Sequence, residues 1–237
     1  MTSQPAYNPQ PLPEGFVYLT DIDPTILEEV RYAGHHNFMG RPMPGYLAPV
    51  IILTEAAALA LKSLQAEIKP FGLTVKVYDA YRPQDTVDSF TTWAEDLSDQ
   101  VTKTEFYPGI NKKDVFDLGY IGKRSSHTRG STVDLTLVPL PVPSQPTWKP
   151  GDPILDGRLP HGQRFADNSI DMGSGFDCLD ELSHTHNPTL PPEVRANRLL
   201  LASLMEKHGF VGYDKEWWHF TLRDEPYPDT YFNFPVA

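Results

Sequence analysis

The sequence predicts an α+β fold in a single domain, with a central antiparallel sheet flanked by helices. Three observations carry this. Runs of period-two alternation at 73–78, 133–137 and 216–221 read as strands. Longer runs bounded by helix start and stop signals, at 55–69, 84–95 and 191–208, read as helices. Helices and antiparallel-compatible strands in this mixed order belong to the α+β class. The 237 residues, 40% hydrophobic and 22% charged, suffice to bury one sizeable core.

Residues 1–14 are polar and Pro-rich and read as a mobile lead-in to a domain spanning 15–237. Asp23-Pro24-Thr25 has the form of a helix start, with Asp23 as N-cap and Pro24 at the first helical position. His35-His36-Asn37-Phe38-Met39-Gly40 reads as loop, and the apolar run Val50–Leu53 is too short to assign by period. Thr54 caps an Ala- and Leu-rich helix from Glu55 to about Lys69, which Pro70 and Gly72 stop. Leu73–Tyr78 alternates apolar and polar residues, as a half-buried strand does, and delivers the chain to Asp79-Ala80-Tyr81-Arg82-Pro83. A helix is expected over Gln84–Glu95, and Asn111–Lys123 is polar and turn-rich. Val133, Leu135 and Leu137 alternate with Asp134 and Thr136, which makes a strand with Asp134 near its start. From Val138 to Asn168 periodicity gives way to Pro and Gly, the mark of a long ordered loop or insertion of the kind that often forms a lid. The last long helix starts at Pro191-Pro192-Glu193 and ends before Gly209. Glu216–Thr221 closes the pattern as a strand.

The formal net charge of −11 argues against nucleic acid and against an anionic membrane as partners. No apolar run approaches the roughly 18 residues that span a bilayer. The N-terminus has neither the basic nor the apolar region of a secretory signal, so the expected location is the cytoplasm. The lone Cys178 excludes an intramolecular disulfide and reads as a small buried apolar residue. The sequence carries no signal of oligomeric state.

The densest chemistry lies in Ser125-Ser126-His127-Thr128-Arg129-Gly130-Ser131-Thr132-Val133-Asp134 and, far downstream, Glu216-Trp217-Trp218-His219. Two imidazoles and a carboxylate are the ligand set of a hydrolytic zinc centre with an open position. Glu216 has no need to be a ligand and suits a base acting on metal-activated water. Each half alone also has a plainer reading: a surface His beside a Gly turn, an exposed Glu, a core His among aromatics. Arg82, held extended by Pro83, either stabilises an oxyanion or makes a structural salt bridge to Asp79 or another acid. Asp177 in Gly175-Phe176-Asp177 either binds a substrate ammonium or caps its own turn. His184 and His186 read as surface loop, as do His35 and His36.

Together these segments resemble the VanX-type D-alanyl-D-alanine dipeptidases, zinc enzymes of a superfamily that includes D,D-carboxypeptidases and the hedgehog signalling domain. The likeness rests on Tyr78–Pro83, Ser125–Ser131, Val133–Leu137, Gly175–Asp177, Glu216–Phe220 and the tail Leu222–Pro228, in the same order from about Gly15 onward. It implies a hedgehog-like fold and one zinc per chain held by His127, Asp134 and His219. It implies Glu216 as general base and acid, and Arg82 on the tetrahedral intermediate. Ser125, Asp177 and Tyr32 resemble the groups that hold the dipeptide and its free amine. The implied reaction is hydrolysis of D-Ala-D-Ala to two D-alanines in a small closed site, in the service of vancomycin resistance or of wall-dipeptide recycling. Two departures fall on the substrate pocket: Val138–Asn168 is longer than in compact VanX enzymes, and Cys178-Leu179-Asp180 replaces the more usual aromatic-Met-Asp. Lying between Asp134 and Asp177, the insertion is expected to fold beside the metal cleft and restrict access to it. Two other readings stand beside this one. A peptidoglycan D,D-carboxypeptidase or endopeptidase would need export and an open cleft. A hedgehog-like zinc-stabilised binding module would have no use for Glu216 and Arg82.

Overall fold

The computed structural model describes residues 11–237, so most of the expected lead-in, 1–10, lies outside the described residues. Residues 11–14 run against the C-terminal segment, where the Tyr227 hydroxyl donates to the Glu14 carbonyl at 2.8 Å. Strand β1 (Phe16–Tyr18) leads into a single-turn helix α1 (Leu19–Ile22), and β2 (Leu27–Glu28) follows. Asp23 therefore ends a helix instead of opening one. Its carboxylate accepts from the Thr25 amide and hydroxyl at 2.9 and 2.6 Å, an Asx turn that competes with helix initiation.

The unassigned apolar run resolves into β3 (Ile52–Thr54), which pairs antiparallel with β1. Helix α2 (Glu55–Ile68) has Thr54 as N-cap, its hydroxyl accepting from the Ala57 amide. Gly72, at φ 74, turns the chain out of it in a conformation that suits glycine. Ala57, Ala58, Leu61, Leu64 and Ile68 form its buried face, each leucine contributing on the order of 2 kcal/mol.

The main sheet contains β4 (Leu73–Asp79), β5 (Thr132–Pro139), β6 (Phe210–Tyr213) and β7 (Glu216–Leu222) in the order β2-β4-β5-β7-β6. Its pairings are antiparallel as expected, apart from the edge strand β2, which joins β4 in parallel. The long connection through β3 and α2 makes that crossover feasible. Helices α3 (Gln84–Glu95), α4 (Lys103–Phe106) and α5 (Pro192–Lys207) complete the fold.

β4 is more deeply buried than its alternation predicts, because its polar side chains are bonded internally. Thr74 Oγ1 accepts from Gln65 Nε2 at 2.8 Å. Lys76 Nζ, 3% exposed, donates to Glu29, Gln145, Asp167 and Asn168. Gln145, Asp167 and Asn168 belong to the insertion expected at 138–168, of which Val138 and Pro139 still belong to β5 and the rest carries no helix or strand. Among the described residues no helix is long and apolar enough to cross a membrane.

Candidate metal centre and active-site cleft

Asp134 on β5 lies directly opposite His219 on β7, and opposed residues of an antiparallel pair share a face. His127 arrives from the 3-10 turn Ser126–Arg129, just before β5. The Ser125 hydroxyl starts that turn by accepting from the His127 amide at 3.3 Å. Gly130, at φ 86, ends it with the Phe16 ring packed where a Cβ would stand. The result is a nearly equilateral triangle. His127 Nε2 is 3.2 Å from His219 Nδ1 and 3.3 Å from Asp134 Oδ1, and the third edge is 3.2 Å.

Hydrogen bonding leaves these three atoms with bare lone pairs. His127 Nδ1–H donates to the Ala80 carbonyl at 2.7 Å, which leaves Nε2 as the acceptor nitrogen of the neutral ring. His219 Nε2 lies 3.2 Å from Ser126 Oγ, a partner that suits the tautomer with its proton on the side away from the triangle. Asp134 Oδ1 is buried with no hydrogen-bond partner. Three acceptors crowded together, two of them on buried residues and one on the half-buried His219, call for a cation. Donors at about 2.0–2.1 Å from a tetrahedral zinc stand about 3.3–3.4 Å apart, so the residues present fit that ion. Burial would raise the Asp134 carboxyl, but wherever the imidazoles carry a proton toward it their charge and hydrogen bonds hold it well below the usual carboxylate range. Burial also lowers His219. Both shifts favour the carboxylate and neutral imidazole that bind a metal.

Glu216 Oε2 stands 3.5 Å from His219 Nδ1, outside the triangle. Its carboxyl is pushed well above the usual range, first by burial and then by the charges of Asp134 and Asp177. Arg82 meets the structural one of its two sequence readings. It forms the structural pair with Asp79 Oδ2, from Nε at 3.0 Å and Nη2 at 2.9 Å, and also lines the cleft. Its guanidinium lies 4.9 Å over the Tyr32 ring and 3.6 Å from Asp134 Oδ2. The other Asp79 oxygen accepts from the Tyr46 hydroxyl at 2.5 Å. Sequence reasoning missed Ser126 and Tyr46; the only local signal for Ser126 is its place beside His127.

All eight residues singled out for the site line, or stand at, one cavity of about 350 Å³: Tyr32, Arg82, Ser125, His127, Asp134, Asp177, Glu216 and His219. Asp177 adopts φ 60, unusual for a non-glycine residue, and its Oδ2 accepts from the Tyr32 hydroxyl at 2.8 Å. Burial first, then the Asp134 charge, pushes its carboxyl up to about 7.

The insertion departs from expectation. No residue of 138–168 lines the cavity. Its side chains pack instead on Arg31, His36 and Lys76. That packing also corrects the reading of His36 as surface loop. His36 is buried between Arg31 Nη1 at 2.9 Å and Glu105 Oε1 at 2.8 Å, and stacks on Trp148 of the insertion. His35 and His186 are exposed, and His184 is half-buried 3.1 Å from the Tyr120 hydroxyl. Cys178 is fully buried.

The family model described as D-ala-D-ala dipeptidase, of peptidase family M15, matches residues 13–140 and 163–237. The chain belongs to the D-Ala-D-Ala dipeptidase family. It is accordingly an enzyme of a zinc metallopeptidase family. The D-alanyl-D-alanine dipeptidase of Enterococcus faecalis is 39% identical over 223 residues, which cover 94% of this chain and 98% of that one. That of Streptomyces coelicolor is 38% identical over 222 residues, with the same shares. That of Escherichia coli is 32% identical over 206 residues, 87% of this chain and 83% of that one. The family match omits 141–162, a stretch inside the insertion expected at 138–168. The zinc complex of a VanY D,D-pentapeptidase variant superposes with a TM-score of 0.39 and 13% identity over 84% of this chain and 87% of that one, too remote to bear on the site.

Proposed function

We propose that the chain hydrolyses the free dipeptide D-Ala-D-Ala to two D-alanines, with one zinc per chain held by His127 Nε2, Asp134 Oδ1 and His219 Nδ1. The observation that carries this reading is the triangle of bare lone pairs with Glu216 beside it. When bound, zinc supplies Lewis acidity, bringing a water molecule to a pKa of roughly 7 and polarising a carbonyl. Glu216, which burial makes a strong proton acceptor, takes the proton of the attacking water and returns it to the leaving amine. Arg82, fixed against Asp79, meets the oxyanion. Asp177 and Tyr32 hold the substrate ammonium, and Ser125 offers its hydroxyl to the dipeptide. The cytoplasmic location expected from the sequence goes with this reading.

Burial of Asp177 supports the preference for a free amine. An acylated N-terminus would leave that carboxylate with the Tyr32 hydroxyl but no cation, at a cost of about 1–3 kcal/mol. A panel of D-Ala-D-Ala, L-Ala-D-Ala, L-Ala-L-Ala and N-acylated D-Ala-D-Ala, with and without chelator, tests the function. Chelator-sensitive turnover should be fastest on D-Ala-D-Ala and at least about tenfold slower on the acylated form. Equal turnover of the two would make the protein a carboxypeptidase. Zinc binding without turnover would make it a binding module.

A further inference from the structure

We propose that Asp167, carried by the segment between β5 and Asp177, is a positioning residue that sets the Tyr32–Asp177 pair from behind the cleft. The inference rests on the reading of Asp177 as the seat of the substrate ammonium.

Asp167 is an anchored anion. Burial favours its protonation, but Lys76 and Arg31 override this and hold its carboxyl below the usual range. Oδ1 accepts from Lys76 Nζ at 2.8 Å and from the Ser169 amide at 2.9 Å. Oδ2 accepts from the Tyr78 hydroxyl at 2.6 Å and from Arg31 Nη2 at 3.1 Å.

Two lines run from this carboxylate, one to each half of the pair. Arg31 immediately precedes Tyr32 in a 3-10 turn, Arg31–Ala33. Its guanidinium is gripped on a second edge, where Nε donates to Glu29 Oε1 at 2.5 Å. On the other line, the Tyr78 ring stacks on Phe176 with centroids 4.2 Å apart and planes 13° apart. Phe176 immediately precedes Asp177, whose φ of 60 a non-glycine residue holds only when its surroundings fix it. Tyr32 and Asp177, 145 residues apart in the chain, thus share one anchor. Asp167, Arg31, Lys76 and Tyr78 do not line the cavity, so Asp167 acts through the pair and not on the substrate. Small displacements of a binding group are costly, which gives such an anchor its leverage.

The test is a cycle of Asp167→Asn, Asp177→Asn and the double variant. KM and kcat are measured for D-Ala-D-Ala on zinc-loaded enzyme, together with Tm and zinc content. Asp167→Asn should raise KM about tenfold, with kcat within about twofold and zinc retained. In the Asp177→Asn background it should change KM less than about twofold, because the group it positions is gone. A purely structural role would lower Tm and the active fraction at constant KM, and that result overturns the proposal. Multiplying KM effects in the cycle overturn it too. If Asp177→Asn alone leaves KM unchanged, the ammonium reading fails and takes this inference with it. Should Asp167→Asn fail to fold, Tyr78→Phe keeps the ring and removes one hydroxyl. Its KM should rise several-fold, and an unchanged KM overturns the proposal.

Discussion

Glu216 Oε2 lies 3.5 Å from His219 Nδ1, although residues three apart on a regular strand point to opposite faces. The pairing of β7 accounts for the meeting. Gly212 and Tyr213 are consecutive on β6, but their partners on β7 are Phe220 and Glu216. β7 carries extra residues across this point, and the irregularity brings Glu216 back to the His219 side. On its other edge β7 keeps register with β5, so His219 still opposes Asp134. One strand thereby supplies both a corner of the His127–Asp134–His219 triangle and a carboxyl beside it.

That geometry keeps Glu216 out of the donor triangle. Glu216→Ala should retain zinc and lose on the order of 10³-fold or more in kcat. Metal analysis showing that zinc leaves with the side chain would make Glu216 a ligand.

His127→Ala should lose zinc and activity together, since two donors remain where the site needs three. Full zinc occupancy in that variant, by the same analysis, would remove His127 from the ligand set.

Arg82→Ala should lower kcat by about 10²–10³-fold, the range for loss of one oxyanion donor. Arg82→Lys should restore little, because a lysine cannot reproduce the paired contacts to Asp79. A rise in KM at unchanged kcat would reassign Arg82 to the substrate carboxylate.

The meeting of His127, Asp134, His219 and Glu216 was legible only from the two motifs taken together, since each half alone also fits a surface or core reading. Strands and long helices were legible through periodicity, as in α2 and β5. What escaped were contacts made across the chain. Asp23 carries a helix-start pattern, yet its carboxylate closes a local turn instead. The half-buried reading of Leu73–Tyr78 did not foresee the burial of Lys76, because its four oxygen partners come from distant segments. His36 looked exposed because Trp148, more than a hundred residues on, covers it. The insertion's composition announced a long loop but held no information about which face it would cover.

The pH dependence separates binding from stability. Asp177 is raised from 3.8 to about 7, first by burial. Between those values the folded chain holds a proton that the unfolded chain has released, so this group's contribution to stability falls as pH rises through that window. Substrate binding has the opposite sign, since only ionised Asp177 pairs with an ammonium. kcat/KM for D-Ala-D-Ala should rise with pH up to about 7. Asp177→Asn should lack that limb, and a profile that keeps it would assign the limb to another group.

One zinc, closed in by His127, Asp134 and His219, should make this chain a free-dipeptide hydrolase. The most direct measurement follows zinc content and D-Ala-D-Ala turnover on one sample through chelation and zinc return. We expect one zinc per chain, loss of turnover as the metal leaves, and recovery when zinc is restored. Turnover that persists in zinc-free protein, or full zinc with no turnover of the dipeptide, would contradict it.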